Sequence, residues 1–232
     1  IIGSGSWATA LTKIISDNAP QNGAFLSWYI RKPETLEYLE KFHHNPNYLS
    51  SVSLPVSKIK LYVEISEIIE ENDYLILAIP SAFLHQTLNN INPEIFKNKF
   101  IISAIKGVIP ETHQVLGDYF NTEWNIPFNN IAAIAGPCHA EEVALEKLSY
   151  LTIASENQTL AKKMEILLHN RFINITLCDD LRGAEFSSVL KNVYAIASGI
   201  CHGLGYGDNF QAVLISGCLK EMGFLMDKIA PM

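Results

Sequence analysis

The chain has 232 residues, of which 48% are hydrophobic and 18% charged, a composition typical of a globular enzyme with one large or two modest domains. The net charge of −7 argues against nucleic acid as a general partner, because phosphate binding requires a basic face. The four cysteines show neither a C-x-x-C pair nor the spacing of metal ligands, so we expect reduced thiols, no metal and a cytoplasmic location. The longest uncharged stretch, residues 192–207, is interrupted by glycines and does not predict a membrane span.

The first residues follow the order strand, Gly-rich turn and helix, which typifies a dinucleotide-binding site. Ile1-Ile2 would end the strand. Gly3 allows a tight turn, Gly5 lets the backbone approach a pyrophosphate, and Ala8 is small enough for close helix–strand packing. The phosphates would then meet the N-terminus of the helix, where free N–H groups and the macrodipole favour anions. An ordinary Gly-rich turn is the alternative.

Strand-like and helix-like segments then alternate, which favours an α/β fold with a mostly parallel sheet of six or seven strands. Strands are predicted over residues 24–30, 74–79, 99–105, 130–135, 149–155 and 172–179, with helices over 34–42 and 80–91. Beyond residue 180 the spacing becomes helical, and long helices are predicted over 181–204 and 209–229. We therefore predict a Rossmann-type domain over 1–179 and the start of an all-helical domain over 180–232. We expect the natural protein to extend beyond both ends of this sequence.

Basic residues stand at positions where an anionic ligand could bind, at strand ends and on one helix. Lys106 follows a predicted strand, and the alternative is a solvated lysine at a turn. Lys191 is the one long side chain on a small-residue helix face, which suits a flat ligand, although tight helix packing with an outward lysine explains the same pattern. Arg31 and Lys32 occupy the place where NAD-binding folds usually carry an acidic residue. They favour tolerance of NADP, and two solvated turn cations are the alternative.

Taken together, these motifs resemble the bacterial type of the NAD(P)-dependent glycerol-3-phosphate dehydrogenase family. The resemblance covers essentially the whole sequence and is carried, in family order, by GSGSWATAL, HNPNYLSSVSLP, AIPS, AIKGV, GPCHAEEVA and EFSSVLKNVYAIASGICHGLGYGDN. It implies an oxidoreductase with its site between a Rossmann domain and a helical domain. The implied reaction is hydride transfer between NAD(P)H and dihydroxyacetone phosphate, which gives sn-glycerol 3-phosphate, a precursor of phospholipids. A homodimer is a further expectation.

The motifs and the resemblance also predict individual roles. Lys191 would be the catalytic proton donor and acceptor, and Lys106 would assist it as a nearby cation that lowers the pKa of Lys191. The predicted cofactor-binding residues are Gly3, Gly5, Ser6, Trp7, Arg31, Lys32, Lys106 and Ala140. The predicted substrate-binding residues are Lys106, Gly136, Cys138, Lys191, Asn192 and Asp208.

Three residues depart from the family pattern. Ala8 replaces a frequent glycine, Cys138 stands where Ser or Thr is usual and would give a weaker hydrogen bond, and Gly217 occupies the usual position of an arginine. The missing arginine puts one ligand contact in doubt. A related β-hydroxyacid or ketopantoate-type dehydrogenase is an alternative, against which the NPNYL and GPCHAEEV segments argue. A catalytically inactive nucleotide-binding module is another.

Overall fold

The structure is a computed structural model that describes residues 1–19 and 26–229. Its strands are β1 (Leu26–Tyr29), β2 (Ile59–Tyr62), β3 (Tyr74–Leu77), β4 (Phe100–Ser103), β5 (Ile131–Ala135), β6 (Ser149–Ala154) and β7 (Ile173–Cys178). Its α-helices are α1 (Ser6–Asn18), α2 (Pro33–Phe42), α3 (Ile65–Glu71), α4 (Ser81–Leu88), α5 (Leu116–Trp124), α6 (Ala140–Ala144), α7 (Gln158–Leu168), α8 (Leu181–Gly203) and α9 (Asp208–Ile229).

The strands form one sheet that is held together near its middle by the first residues of the chain. β1 pairs with β2, and β3 to β7 follow one another in sequence order. Ile2 forms parallel bridges to both Tyr29 and Leu77, so it joins the two groups into the order β2-β1-Ile2-β3-β4-β5-β6-β7. β6 is antiparallel to β5, and the other pairs are parallel. The predicted mostly parallel α/β sheet is confirmed.

The sheet is buried on both faces, which explains why its central strands are continuous hydrophobic runs. Successive residues of β3 alternate between two cores. Ile76 packs in the core that contains Leu11 and Ile14 of α1. Leu75 and Leu77 pack on the opposite side of the sheet with residues of α3, α4 and α5. The period of two along a strand thus divides one apolar run between two layers of helices.

Most predicted elements are present, with shifted ends. Each strand predicted from residue 74 onward contains an observed strand, and the two long helices are α8 and α9. The strand predicted over 24–30 is β1, although residues 24 and 25 lie outside the described residues. The helix predicted over 80–91 ends at Leu88. Over residues 1–19 and 26–229, no helix has both the length and the apolar character needed to cross a bilayer.

Candidate active site

The Gly-rich turn requires glycine at its first position. Gly3 adopts φ = +128°, and a Cβ there would lie 2.3 Å from the carbonyl oxygen of Ala78. The turn can therefore pass the end of β3 only without a side chain. The indole Nε1 of Trp28 donates to the Gly3 carbonyl oxygen at 2.7 Å, and Trp28 is fully buried. This buried hydrogen bond holds the backbone of the turn in place.

The turn leads directly into α1 and leaves the start of this helix free of side-chain caps. Gly5 is the N-cap residue, no side chain at that position bonds to the first turn, and the space around its Cα is open. The N–H groups of the first helical turn and the helix dipole are therefore available to an anion. This is the local geometry that a pyrophosphate requires.

Two adjoining cavities meet at this turn. The Lys106 cavity, of about 480 Å³, is lined by Gly5, Ser6, Trp7, Tyr48, Ala78, Ile79, Pro80, Ala104, Ile105, Lys106, Cys138, His139, Ala140 and Glu141. The Arg31 cavity, of about 500 Å³, is lined by Gly3, Ser4, Gly5, Tyr29, Arg31, Tyr48, Ala78, Ile79, Pro80, Phe83, Gln86 and Thr87. Both volumes fall in the range of small-molecule sites. Because the two cavities share this wall, a single elongated ligand that crosses the turn would fit into both of them.

Lys106 stands just beyond the end of β4, in the first of these cavities. Desolvation by the surrounding protein lowers the pKa of its ammonium group, the Lys191 ammonium lowers it further, and Cys138 acts in the opposite direction. The two lysines are therefore within electrostatic range of each other.

Cys138 lies in the wall of the same cavity, and its thiol is engaged by the protein. The Cys138 Sγ–H donates to the carbonyl oxygen of Tyr150, with the two atoms 2.9 Å apart. Burial raises the pKa of the thiol, and the Lys106 and Lys191 ammonium groups act in the opposite direction. Gly136, two residues earlier, has φ = +131°, and a Cβ would lie 2.4 Å from the same Tyr150 oxygen.

The predicted site residues are only partly brought together. Those that line a cavity are Gly3, Gly5, Ser6, Trp7, Arg31, Lys106, Cys138 and Ala140. Lys32 is the exposed N-cap residue of α2, outside both linings. Lys191, Asn192 and Asp208 are exposed on α8 and α9 and are likewise outside both linings, as is Gly136.

Besides apolar residues, three residues with polar side chains line the Lys106 cavity and were not predicted as site residues: Tyr48, His139 and Glu141. Each lies in a segment that carries the family resemblance, and Tyr48 also lines the Arg31 cavity. The motifs therefore included these three residues, but a motif alone does not show which of its side chains line a cavity.

Comparison with known proteins identifies the family. The model described as NAD-dependent glycerol-3-phosphate dehydrogenase N-terminus matches residues 1–161, and the model for the C-terminus of the same enzyme matches residues 180–231. The chain belongs to the NAD-dependent glycerol-3-phosphate dehydrogenase family. Membership of this family implies NAD(P)H as the cofactor.

Individual members of the family align over nearly the whole chain. Glycerol-3-phosphate dehydrogenase [NAD(P)+] of Shouchella clausii is 33% identical over 97% of this chain and 65% of its own length. The solved glycerol-3-phosphate dehydrogenase of Coxiella burnetii superposes with a TM-score of 0.84 at 27% identity, over 99% of this chain and 68% of that one. The corresponding yeast enzyme gives 0.85 at 25% identity, over 99% and 70%. The chain thus spans about two thirds of the length of these relatives.

Proposed function

We propose that this protein is an NAD(P)-dependent glycerol-3-phosphate dehydrogenase, which reduces dihydroxyacetone phosphate to sn-glycerol 3-phosphate. The observation that carries the proposal is the Lys106 cavity. There a family-matched lysine, with a pKa lowered by burial and by Lys191, stands at the carboxyl edge of the sheet beside an uncapped helix N-terminus. Open α/β sheets bind their ligands at this edge.

The residues at the turn fit a nicotinamide dinucleotide. Gly3 permits the close passage of the backbone, and the uncapped first turn of α1 offers N–H donors to a pyrophosphate. Arg31 lines the cavity on the other side of the turn, where its guanidinium would meet the ribose end and tolerate a 2′-phosphate. The bound cofactor would supply the hydride.

The two lysines would have different roles in substrate binding and catalysis. Lys106 would bind the anionic substrate with its ammonium group and contact the cofactor. Lys191 would donate a proton to the carbonyl oxygen during reduction and stabilise the negative charge that develops there. We assign Ser6, Trp7, Lys32 and Ala140 to the cofactor and Gly136, Cys138, Asn192 and Asp208 to the substrate, on the family match.

The change of architecture after β7 supports a functional division of the chain. The last strand ends at Cys178, and α8 and α9 follow. We infer that residues 1–179 form the cofactor-binding domain and residues 180–232 begin a helical catalytic domain. A cytoplasmic location, a homodimer and the absence of a nucleic-acid partner belong to the same proposal. The net charge of −7 supports the last of these.

The test measures whether the purified protein oxidises NADH or NADPH in the presence of dihydroxyacetone phosphate. The reaction is monitored through the decrease in cofactor absorbance. Lys191→Ala is the informative variant, and Lys220→Ala, at an exposed position on α9, is the matched control. We expect turnover with dihydroxyacetone phosphate that Lys191→Ala lowers by roughly 10²- to 10⁴-fold and Lys220→Ala leaves intact. Preferential turnover of a β-ketoacid or of ketopantoate would favour a related dehydrogenase, and NADH binding without turnover of any of these substrates would favour an inactive module.

A further inference from the structure

A buried amide lies behind the wall that the two cavities share. Asn45 is 0% exposed and lines neither cavity, yet it bonds to the backbone of two of the three segments that form their common wall, at Ser4 next to Gly5 and at Tyr48. Its Nδ2 donates to the Ser4 carbonyl oxygen at 3.1 Å and to the Thr9 hydroxyl at 2.9 Å. Its Oδ1 accepts from the backbone N–H groups of Asn47 at 3.0 Å and Tyr48 at 3.2 Å.

These four bonds use every donor and acceptor that an asparagine side chain has. No other side chain of this size offers two donors and two acceptors with this shape. An aspartate would turn an acceptor toward the Ser4 carbonyl, and an aliphatic residue would remove the hydrogen bonds to this carbonyl and to two backbone N–H groups. The bond between Asn45 and the Thr9 hydroxyl is buried, and its loss is costly because a buried polar group without a partner forfeits its hydration.

The network extends into the helix through Thr9. The Thr9 hydroxyl accepts from Asn45 and donates to the Gly5 carbonyl oxygen at 2.9 Å. In a trans peptide the C=O of one residue and the N–H of the next point in opposite directions, and the described residues contain no cis peptide bond. Holding the carbonyls of Ser4 and Gly5 on the Asn45 side therefore directs the N–H groups of Gly5 and Ser6 away from it.

We propose that Asn45 is a positioning residue for the nucleotide pyrophosphate. It orients the N–H groups of Gly5 and Ser6 through the Ser4 carbonyl and Thr9, and it anchors the backbone of Tyr48, whose side chain lines both cavities. The proposal rests on the proposed function in taking NAD(P)H as the ligand. Asn45 itself touches neither cofactor nor substrate.

The experiment measures NADH affinity by fluorescence titration in wild type, Asn45→Asp, Thr9→Val and Thr9→Ser, with the folded fraction of each variant measured by urea unfolding. Asn45→Asp keeps the shape but removes both donors, and Thr9→Val removes the hydroxyl that Thr9→Ser retains. We expect Kd to rise by about tenfold or more in Asn45→Asp and Thr9→Val, as hydrogen bonds to the turn are lost. Thr9→Ser should restore an affinity near that of wild type.

A matched control separates positioning from general destabilisation. Ser155 is equally buried, donates to the Ile131 carbonyl oxygen at 2.7 Å, and lies at the opposite edge of the sheet because β6 is antiparallel to β5. Ser155→Ala should lower the free energy of unfolding without changing the Kd for NADH. If Asn45→Asp behaves like Ser155→Ala, or if Thr9→Val and Thr9→Ser bind NADH alike, the positioning role is refuted.

The ligand dependence shows which group the turn holds. ADP-ribose contains the pyrophosphate and adenosine does not, so Asn45→Asp and Thr9→Val should weaken ADP-ribose by the same factor as NADH and leave adenosine nearly unchanged. If the variants weaken the binding of ADP-ribose and adenosine equally, the proposal that Asn45 acts through the Gly-rich turn is refuted. A wild-type protein that binds neither NADH nor ADP-ribose would contradict the proposed function itself, which keeps the two failures distinct.

Discussion

Glu185 should make the stability of this protein fall as the pH rises through neutrality. The residue lies near the start of α8, is 8% exposed, and accepts a hydrogen bond from the N–H of Gly117 in α5 at 3.0 Å. Burial raises the pKa of its carboxyl group to about 8. The Gly117 N–H opposes this shift, Asp118 adds to it, and Arg182 opposes it. Asp118 and Arg182 also pair with each other at 2.8 Å.

The sign follows from proton binding. An unfolded glutamate loses its proton near pH 4.5, whereas the folded protein holds the proton until the pH reaches about 8. In this window the folded state binds one proton more, so the free energy of unfolding decreases by about 1.4 kcal/mol for each pH unit. The contribution is fully present below the unfolded pKa and is lost as the pH rises through the folded pKa. Between about pH 5.5 and 7.5 the loss amounts to roughly 2–3 kcal/mol.

Urea unfolding of wild type and Glu185→Gln across that pH range isolates this contribution. Glutamine keeps the shape and can still accept from Gly117, but it does not ionise. The stability of wild type relative to Glu185→Gln should therefore decline steadily with pH, by about 1.4 kcal/mol per unit. The control is Glu67→Gln, at an exposed position on α3, whose profile should run parallel to that of wild type. Parallel profiles for wild type and Glu185→Gln would show that the buried carboxyl titrates as in the unfolded chain.

Three further predictions concern the proposed reaction. Lys191→Ala should lower kcat by roughly 10²- to 10⁴-fold with NADH binding retained, because a proton donor is lost; near-normal turnover would remove Lys191 from catalysis. Replacing Arg31 and Lys32 with alanine should weaken NADPH more than NADH in titrations, with Arg31 dominant because it alone of the two lines a cavity; equal losses would exclude a role with the 2′-phosphate. Gly217→Arg should change KM more than kcat, as uniform binding does, and unchanged kinetics would show that this position has no role in binding.

The fold was predictable where burial leaves a clear pattern in the sequence. β3, β4 and β5 are buried on both faces and appear as apolar runs, and α8 and α9 show helical spacing over 23 and 22 residues. β2 was not predicted, because its four residues include a lysine and it lies at the edge of the sheet. The direction of β6 was not predictable either, since an apolar run has the same composition in both directions.

The site was predictable to the extent that short motifs contain it. The turn from Gly3 to Trp7 is continuous in sequence, so its chemistry could be read directly. Asn45 depends on contacts 36 and 41 residues distant, with Thr9 and Ser4, and a local pattern does not reveal them. Lys32 was predicted together with Arg31 because both are cations at the end of the strand predicted over 24–30. The backbone, however, turns into α2 at this point, and Lys32 becomes its N-cap residue outside the cavity linings.

The reversed strand gives a physical reason why a cysteine is tolerated at position 138. Because β6 runs against β5, with Ala135 opposite Thr152, the start of β6 lies beside the carboxyl end of β5, and the Tyr150 carbonyl reaches that edge. This oxygen excludes any side chain at Gly136 and accepts the hydrogen of the Cys138 thiol. A serine or threonine hydroxyl at position 138 could donate to the same oxygen, more strongly than the thiol does. The replacement therefore weakens a bond within the wall of the cavity and keeps its direction.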